Sequence, residues 1–252
     1  MRKDLTADLD SSLARLREIV AREARQSEPH IELIKRAEPG GPRVGVFASS
    51  FNPVTVAHLE LMRRALAEFS LDEVLALAGR ANADKQQYEC ALEDRLEMLA
   101  LALSDEARIS IGLSSHAFYV DMLDALAPLY GQSELHFIVG FDTFERVLDP
   151  DDRYTARYHH RFSSRLAALR QLFSHSRFIV AGRAGAGLDD VHALLAAEPA
   201  ELSERILYLD FPSDLGERSA TEVRAACRAG LPVTGLVPPA VESYIAARGL
   251  YR

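Results

Sequence analysis

RVGVFASSFNPVTVAHLELMRRA, residues 43–65, joins a short apolar run to an amphipathic segment through a Ser-Ser-Phe-Asn-Pro turn. The run 44–47 predicts a buried strand, and the apolar spacing after the turn predicts a helix. Thr55 and His58 fall in the first turn of that helix, where unpaired N–H groups and about half a positive charge attract anions. This order of elements predicts an anion site. A simpler interpretation also stays open, in which Thr55 only caps the helix and His58 is a surface imidazole.

Outward from this stretch, strand-like and helix-like segments alternate along the chain. Strands are predicted at 43–48, 73–78, 108–113, 135–139, 177–182 and 205–209. Helices are predicted at about 55–69, 91–104, 117–129, 163–174, 188–197, 219–230 and 239–248. Short apolar strands that alternate with helices are typical of a parallel sheet covered on both faces. We therefore expect a doubly wound, Rossmann-like α/β fold whose ligands bind at the carboxyl ends of the strands.

The first 42 residues are predicted to form an extension of this domain. Apolar residues fall on one helical face at Leu5, Leu9, Leu13, Leu16, Ile19 and Val20, so that residues from about 5 to 27 are expected to be an amphipathic helix. Pro29 and the EPGGP stretch at 38–42 then interrupt the chain. We assign 1–42 to a helical extension with its linker and 43–252 to the main domain. The helix could cover the core or mediate self-association.

Composition and charge limit the classes of partner. The chain has 252 residues, of which 48% are hydrophobic and 26% charged, as in ordinary globular proteins. A formal net charge of −8 disfavours non-specific binding to nucleic acid. The N-terminal MRKDLTADLD has no apolar signal core, and no apolar run is long enough to span a membrane. Cys90 and Cys227 lack metal-binding spacing and are expected to be reduced thiols. We expect a cytoplasmic protein that binds neither nucleic acid nor membranes.

A second strand-to-helix junction lies near the end of the chain, in ERSATEVRAACRAGLPVTGLVPPAVESYIAARGLY at 217–251. Ser219, Thr221 and Arg224 form an S-x-T-x-x-R pattern at the start of a predicted helix. Ser219 suits an N-cap, Thr221 offers a hydroxyl, and Arg224 supplies a forked cation, which together suit the phosphates of a nucleotide. Ser219 and Glu222 also form a capping box, and this explains the pattern without any ligand.

Taken together, the two motifs resemble those of the nucleotidyltransferase superfamily, over residues 43–252. Members carry (H/T)-x-x-H at the first helix and S-x-T-x-x-R at a late one. A Gly, a Val-Pro pair and a final Tyr-Ile to Leu-Tyr helix follow, matched here by Gly230, Val237-Pro238 and residues 244–251. The Ser-Phe-Asn-Pro-x-Thr form is most similar to nicotinamide mononucleotide adenylyltransferases, whereas the usual bacterial nicotinate enzyme has Asp-Pro and a second His.

The resemblance implies an enzyme of NAD biosynthesis. It would transfer the adenylyl group of ATP to nicotinamide or nicotinate mononucleotide, releasing pyrophosphate, and Mg²⁺ would arrive bound to ATP. Because a phosphate oxygen is already a nucleophile at neutral pH, positioning and charge neutralisation can supply most of the rate. Members of the superfamily commonly self-associate, but the sequence does not give the oligomeric state.

The resemblance also assigns roles to particular residues. It implies that His58 steadies the phosphates of ATP and that Thr55 and Arg224 assist as catalytic residues. Contacts to the nucleotides are expected from Ser49, Ser50, Phe51, Lys85, Arg95, Gly140, Asp142, Arg183, Ser219 and Thr221. Simpler alternatives stay open for Lys85 and Arg95 as surface cations and for Asp142 as an N-cap. No metal-ligating residue is expected.

Two features depart from the family pattern. Ser49 stands where Gly is common, and its Cβ narrows the approach of a phosphate to the backbone. The chain has no Trp, the residue on which the pyridine ring usually stacks. Phe118 and Tyr119, or Tyr154, could replace it, although the first two equally fit a core. The segment 149–162 is predicted to be a polar loop over the site.

Two other functions stay open at this stage. One is a nucleotidyltransferase with another acceptor, such as phosphopantetheine, or with another nucleotide donor. Length and the long C-terminal tail disfavour the compact pantetheine enzymes. The other is a divergent nucleotide-binding or ATP-hydrolysing protein that has lost efficient transfer. The leading hypothesis requires the two strand-to-helix junctions to converge on one triphosphate.

Overall fold

The structure, a computed structural model, describes residues 2–80, 88–153, 161–182, 185–216 and 218–252. Within these residues, one sheet contains the strands β1 (Ile31–Lys35), β2 (Arg43–Ser49), β3 (Glu73–Gly79), β4 (Ile109–Ser114), β5 (Glu134–Gly140), β6 (Ser176–Ala181) and β7 (Ile206–Leu209). Their order across the sheet is β1-β4-β3-β2-β5-β6-β7. Strands β2 to β7 run parallel, whereas β1 is antiparallel to β4.

Helices cover both faces of this sheet. They are α1 (Arg2–Glu23), α2 (Val56–Glu68), α3 (Leu92–Ala102), α4 (Tyr119–Tyr130), α5 (Phe141–Leu148), α6 (Arg165–His175), α7 (Leu188–Leu195), α8 (Ala200–Ser203), α9 (Ser213–Gly216), α10 (Ala220–Arg228) and α11 (Pro239–Arg248). One core cluster packs α1, α2, α3, α10 and α11 against one face, and a second packs α4 to α8 against the other. The predicted doubly wound fold is therefore confirmed.

The order of strands changes direction at β2. This strand pairs in parallel with β3 on one side and β5 on the other, so that Val46 lies opposite both Leu75 and Phe137. All three side chains are buried, because helices cover both faces at this point. The carboxyl end of β2 is thus the topological switch point of the sheet, where ligands of doubly wound folds bind. The turn of the first motif, residues 50–53, begins there, and we call it the motif turn.

The N-terminal segment is packed onto this domain. Leu13, Leu16 and Ile19 of α1 are buried, and Ser12 Oγ donates a hydrogen bond of 2.5 Å to Glu97 of α3. Of the two roles left open for this helix, the structure shows that it covers the core. The strand β1, which periodicity did not predict, extends the sheet at its edge. The boundary at residue 42 between extension and main domain stays a prediction.

In the described part of the chain, no helix combines the length and the apolar character needed to cross a membrane. Both cysteines are free thiols, as expected from the sequence. Burial raises the pKa of the Cys90 thiol to about 11 and also raises the pKa of Cys227. Both thiols are therefore protonated at neutral pH and poor nucleophiles.

Candidate active site

A cavity of about 680 Å³ opens at the carboxyl ends of β2, β5 and β6. Ser49, Gly140 and Ala181, at the ends of these three strands, contribute to its wall. The N-terminal turns of α2 and α10 also reach it, so that both sequence motifs border the same space. This is the position expected for a ligand in a doubly wound sheet.

Thr55 and His58 form a reciprocal capping box at the start of α2. The Thr55 hydroxyl accepts a hydrogen bond from the backbone N–H of His58 at 3.4 Å, and His58 Nδ1 accepts one from the backbone N–H of Thr55 at 2.9 Å. Because a backbone N–H can only donate, Nδ1 must be the acceptor nitrogen, and the proton of the neutral ring lies on Nε2. That nitrogen is 3.5 Å from Ser49 Oγ, another residue of the cavity wall.

Phe51 supports the imidazole from behind. Its ring is fully buried and packs edge-to-face on His58, with 5.3 Å between ring centroids, and on Phe47 at 5.7 Å. Its φ of 44° lies in the left-handed region, which is strained for an aromatic residue. Phe51 is not part of the cavity wall. The structure therefore places this predicted nucleotide contact in the core, where it orients His58.

The second motif meets the first through Arg224. Its Nη1 donates to the backbone carbonyl of Asn52 at 2.6 Å, and its Nη2 donates to the Thr221 hydroxyl at 3.0 Å. A guanidinium carries five N–H donors, so others remain for a phosphate. Ser219 is the N-cap of α10 and accepts from the backbone N–H of Glu222 at 3.2 Å. Ser219 thus caps the helix and also lines the cavity, as do Thr221 and Arg224.

Arg95 lies behind the motif turn and not in the cavity wall. It is 2% exposed, and its Nη1 donates to the carbonyl of Ser50 at 2.7 Å and to that of Gly79 at 3.4 Å. Its guanidinium also lies over the ring of Tyr88, 4.1 Å from the centroid. Burial lowers its pKa. The interpretation of Arg95 as a surface cation is wrong, because the side chain is buried. In the structure Arg95 donates to two backbone carbonyls, and its contact to a phosphate stays a prediction.

The other end of the cavity is lined by the starts of α4 and α5. Gly140 is the N-cap of α5, and a Cβ at this position would meet no atom within 4 Å. Asp142 is exposed in the first turn and lines the cavity, so it is not the N-cap of the alternative interpretation. Phe118 precedes α4 and is part of the wall. Tyr119 also borders the cavity, but its ring packs edge-to-face on Phe137 at 5.1 Å, and burial raises its pKa.

The family of the chain is shown by comparison with known proteins. The family model described as cytidylyltransferase-like matches residues 46–224. A Gloeobacter violaceus protein named "Probable nicotinate-nucleotide adenylyltransferase" is 31% identical over 222 residues, which cover 84% of this chain and 97% of the relative. This chain belongs to the nicotinate-nucleotide adenylyltransferase family. A protein of the same name from Herpetosiphon aurantiacus is 32% identical, with coverage of 83% of this chain and 98% of the relative.

A solved structure has the same fold as this chain. The Plasmodium falciparum nicotinic acid mononucleotide adenylyltransferase complexed with NaAD superposes with a TM-score of 0.63 at 17% identity. The superposition covers 84% of this chain and 98% of that one. At this level of identity the likeness concerns the fold alone, and it agrees with the doubly wound sheet described above.

Three basic residues of this adenylyltransferase-family site were missed in the sequence. Arg146, Arg165 and Arg218 line the described part of the cavity wall, and Arg165 is paired with Glu198 at 2.8 Å. Arg146 lies one helical turn after Asp142, with its Nε 3.0 Å from the Asp142 carbonyl, so the i,i+4 spacing was a signal that could have found it. Arg218 directly precedes Ser219 and donates to the Gly235 carbonyl at 3.1 Å. Three predicted site residues, Lys85, Tyr154 and Arg183, lie outside the described residues.

Among the described residues, no group of three or more His, Cys, Asp or Glu is arranged to hold a metal ion. The described part of the cavity wall is instead supplied with donors: the imidazole of His58, the guanidinium of Arg224 and two helix N-termini. Groups of this kind bind phosphate oxygens directly. The site can therefore position a polyphosphate, and a divalent ion would enter it already bound to that ligand.

Proposed function

We propose that the protein transfers the adenylyl group of ATP to nicotinate mononucleotide, producing deamido-NAD and pyrophosphate. The observation that carries this proposal is the contact between the two motifs, in which Arg224 donates to the Asn52 carbonyl at 2.6 Å beside the cavity that His58 lines. The names of the relatives support the nicotinate acceptor. Nicotinamide mononucleotide is the alternative acceptor.

The reaction forms one bond and breaks one at the α-phosphorus of ATP. A phosphate oxygen of the mononucleotide attacks this phosphorus, and the bond to the oxygen that bridges to the β-phosphate breaks. His58 donates its Nε2 proton in a hydrogen bond to a phosphate oxygen, and Arg224 neutralises charge on the departing pyrophosphate. The N-termini of α2 and α10 add backbone N–H donors. Mg²⁺, bound to the phosphates, would supply further charge neutralisation.

Asn52 does not argue for the nicotinamide acceptor, although the Asn-Pro form is most similar to nicotinamide enzymes. Its side chain is 5% exposed and is not part of the cavity wall. Its Oδ1 accepts a hydrogen bond from the Tyr251 hydroxyl at 2.8 Å. The choice of Asn at this position is therefore explained by packing against the C-terminus, and the acceptor must be read by residues that line the cavity.

Phe118 is our assignment for the surface on which the pyridine ring stacks. Its side chain lies in the cavity wall and is partly buried. The Tyr119 ring also borders the cavity and packs edge-to-face on Phe137 at 5.1 Å. Stacking of a base on an aromatic side chain contributes about 1–3 kcal/mol. Phe118→Ala is therefore expected to raise KM for the mononucleotide about tenfold while KM for ATP changes little. Tyr119→Phe keeps the ring and serves as the matched control.

The acceptor is tested by incubating the purified protein with Mg-ATP and, separately, with nicotinate mononucleotide, nicotinamide mononucleotide or phosphopantetheine. Pyrophosphate release and the mass of each product are followed together. We expect deamido-NAD to form with the highest kcat/KM. Faster formation of NAD would replace nicotinate by nicotinamide as the acceptor. Product from phosphopantetheine alone, or ATP hydrolysis without any dinucleotide, would refute the proposal.

A further inference from the structure

The last residues of the chain fold back toward the first motif. Helix α11 is followed by Gly249, whose φ of 64° reverses the chain, and the backbone N–H of Leu250 donates to the Ile245 carbonyl at 3.1 Å. This is the usual way in which a glycine ends a helix. Tyr251 then adopts a φ of 62°, a left-handed conformation that is costly for an aromatic residue. Its side chain is only 6% exposed, so packing at this site holds the residue in place.

The Tyr251 hydroxyl reaches the motif turn, 199 residues away in sequence. It donates to Asn52 Oδ1 at 2.8 Å, and both side chains are buried. Burial raises the pKa of Tyr251, which keeps the hydroxyl protonated as a donor. Burial also raises the pKa of the Cys90 thiol, to about 11, so that this thiol is protonated. The Asn52 side chain is thus fixed by a neutral, water-excluded contact, and such buried hydrogen bonds have little freedom to rearrange.

Asn52 transmits this restraint to the site through its backbone. The same residue whose Oδ1 is held by Tyr251 offers its carbonyl oxygen to Arg224 at 2.6 Å. Two residues earlier, the Ser50 carbonyl is held by Arg95 at 2.7 Å. The motif turn is therefore held by Arg224, which lines the cavity, and by Tyr251 and Arg95, which do not.

We propose that Tyr251 is a positioning residue for adenylyl transfer: its hydroxyl fixes Asn52, and the Asn52 carbonyl fixes the guanidinium of Arg224. The inference rests on the proposed function, in which Arg224 neutralises the departing pyrophosphate. Tyr251 itself does not line the cavity and touches no substrate. Its effect should therefore appear in kcat, because a guanidinium that is free to shift by about 1 Å binds phosphate but no longer meets the charge as it develops.

The test compares Tyr251→Phe with Tyr244→Phe. Tyr244 is a matched control because its buried hydroxyl donates to Asp94 of α3 at 2.6 Å and not to the motif turn. We expect Tyr251→Phe to lower kcat about tenfold, with KM for the mononucleotide changed less than about twofold. Tyr244→Phe is expected to lower the free energy of unfolding in urea at least as much, yet to keep kcat at the wild-type value. Wild-type kcat in Tyr251→Phe, or an equal loss in both variants, would overturn the proposal.

A double-mutant cycle with Arg224→Lys tests the route through Asn52. If Tyr251 acts by positioning the guanidinium, Tyr251→Phe should lower kcat little further in a protein that already carries Arg224→Lys. If the fold-losses in kcat of the two single variants multiply fully in the double variant, this route is overturned.

The cycle also separates the inference from the proposed function. A wild-type protein that forms no dinucleotide refutes the proposed function. In that case the same four proteins are compared by their calorimetric affinity for inorganic pyrophosphate, which carries the full charge that the positioned guanidinium is proposed to meet. Coupling between Tyr251 and Arg224 in that affinity supports the positioning role, and its absence overturns it.

Discussion

His58 is predicted to use its two ring nitrogens for different tasks, and two amide substitutions separate them. Nδ1 accepts the backbone N–H of Thr55 at 2.9 Å, while Nε2 carries the proton on the side of Ser49. His58→Asn places an amide oxygen near the position of Nδ1 and leaves nothing at Nε2. His58→Gln extends an amide nitrogen toward the position of Nε2 and gives up the cap.

The magnitudes follow from these contacts. Removal of one preorganised donor to a transition-state oxygen costs about 100- to 1,000-fold in kcat, or about 3–4 kcal/mol. Both variants lose ring packing on Phe51 and Phe47, worth about 0.5–1.5 kcal/mol for each ring pair. His58→Gln additionally leaves the buried N–H of Thr55 without its acceptor, at about 1–3 kcal/mol.

The two variants should therefore rank in opposite orders. In an assay of pyrophosphate release, kcat should fall from wild type to His58→Gln and further to His58→Asn. In urea unfolding, stability should fall from wild type to His58→Asn and further to His58→Gln. The same order in both measurements, or a His58→Asn variant within about threefold of wild-type kcat, would refute the division of roles.

Two further predictions concern buried ionisable groups. Arg95→Met removes the donor to the Ser50 and Gly79 carbonyls and should lower the free energy of unfolding by about 2–4 kcal/mol in urea. An unchanged urea midpoint together with a large rise in KM for ATP would contradict this structural role and indicate that Arg95 binds a phosphate. Burial lowers the pKa of His136 in the folded protein, against opposing attraction from Glu134 and with Arg43 and Arg177 nearby. As the pH falls, the unfolded chain therefore binds the His136 proton before the folded protein does. The free energy of unfolding is unaffected by His136 above about pH 6.5 and decreases below it, until the pH reaches the lowered pKa of the folded state. The decrease is at most about 1.4 kcal/mol per pH unit. His136→Gln should remove this part of the slope in unfolding measured between about pH 5 and 8, and parallel curves for the two proteins would contradict it.

Strands and most helices could be predicted because their apolar periods are unbroken. The elements that were missed are short or begin without a signal. β1 is a five-residue strand with prolines near both ends, and α5 begins at Phe141, directly after Gly140 ends β5. Neither carries enough apolar repeats to be recognised by periodicity. The antiparallel direction of β1 depends on its pairing with β4, which is a tertiary contact.

The residues of α3 show why part of the site could not be predicted. Asp94, Arg95 and Glu97 have the composition of a solvated helix face, yet all three are buried. Each is buried because a partner arrives from a distant part of the chain: the Tyr244 hydroxyl, the Ser50 carbonyl and the Ser12 hydroxyl, respectively. A charged side chain is buried only where such partners exist, and a single sequence does not show them. His58, Thr55 and Arg224 were found because their signal is local.

The way in which the cavity holds its cations explains how a chain with a formal net charge of −8 can attract a polyanion. Arg224 and Arg218 are both fixed by neutral oxygens, the first by the Asn52 carbonyl and the second by a loop carbonyl. On the surface, by contrast, Arg228 is paired with the carboxylate of Glu89 at 2.8 Å. A carboxylate orients a guanidinium but cancels its charge, whereas a carbonyl dipole orients it and leaves the charge in place. Arg165 also lines the cavity but is paired with Glu198 at 2.8 Å. Among the described residues, the positive charge that no carboxylate cancels therefore includes that of Arg218 and Arg224, at the second motif.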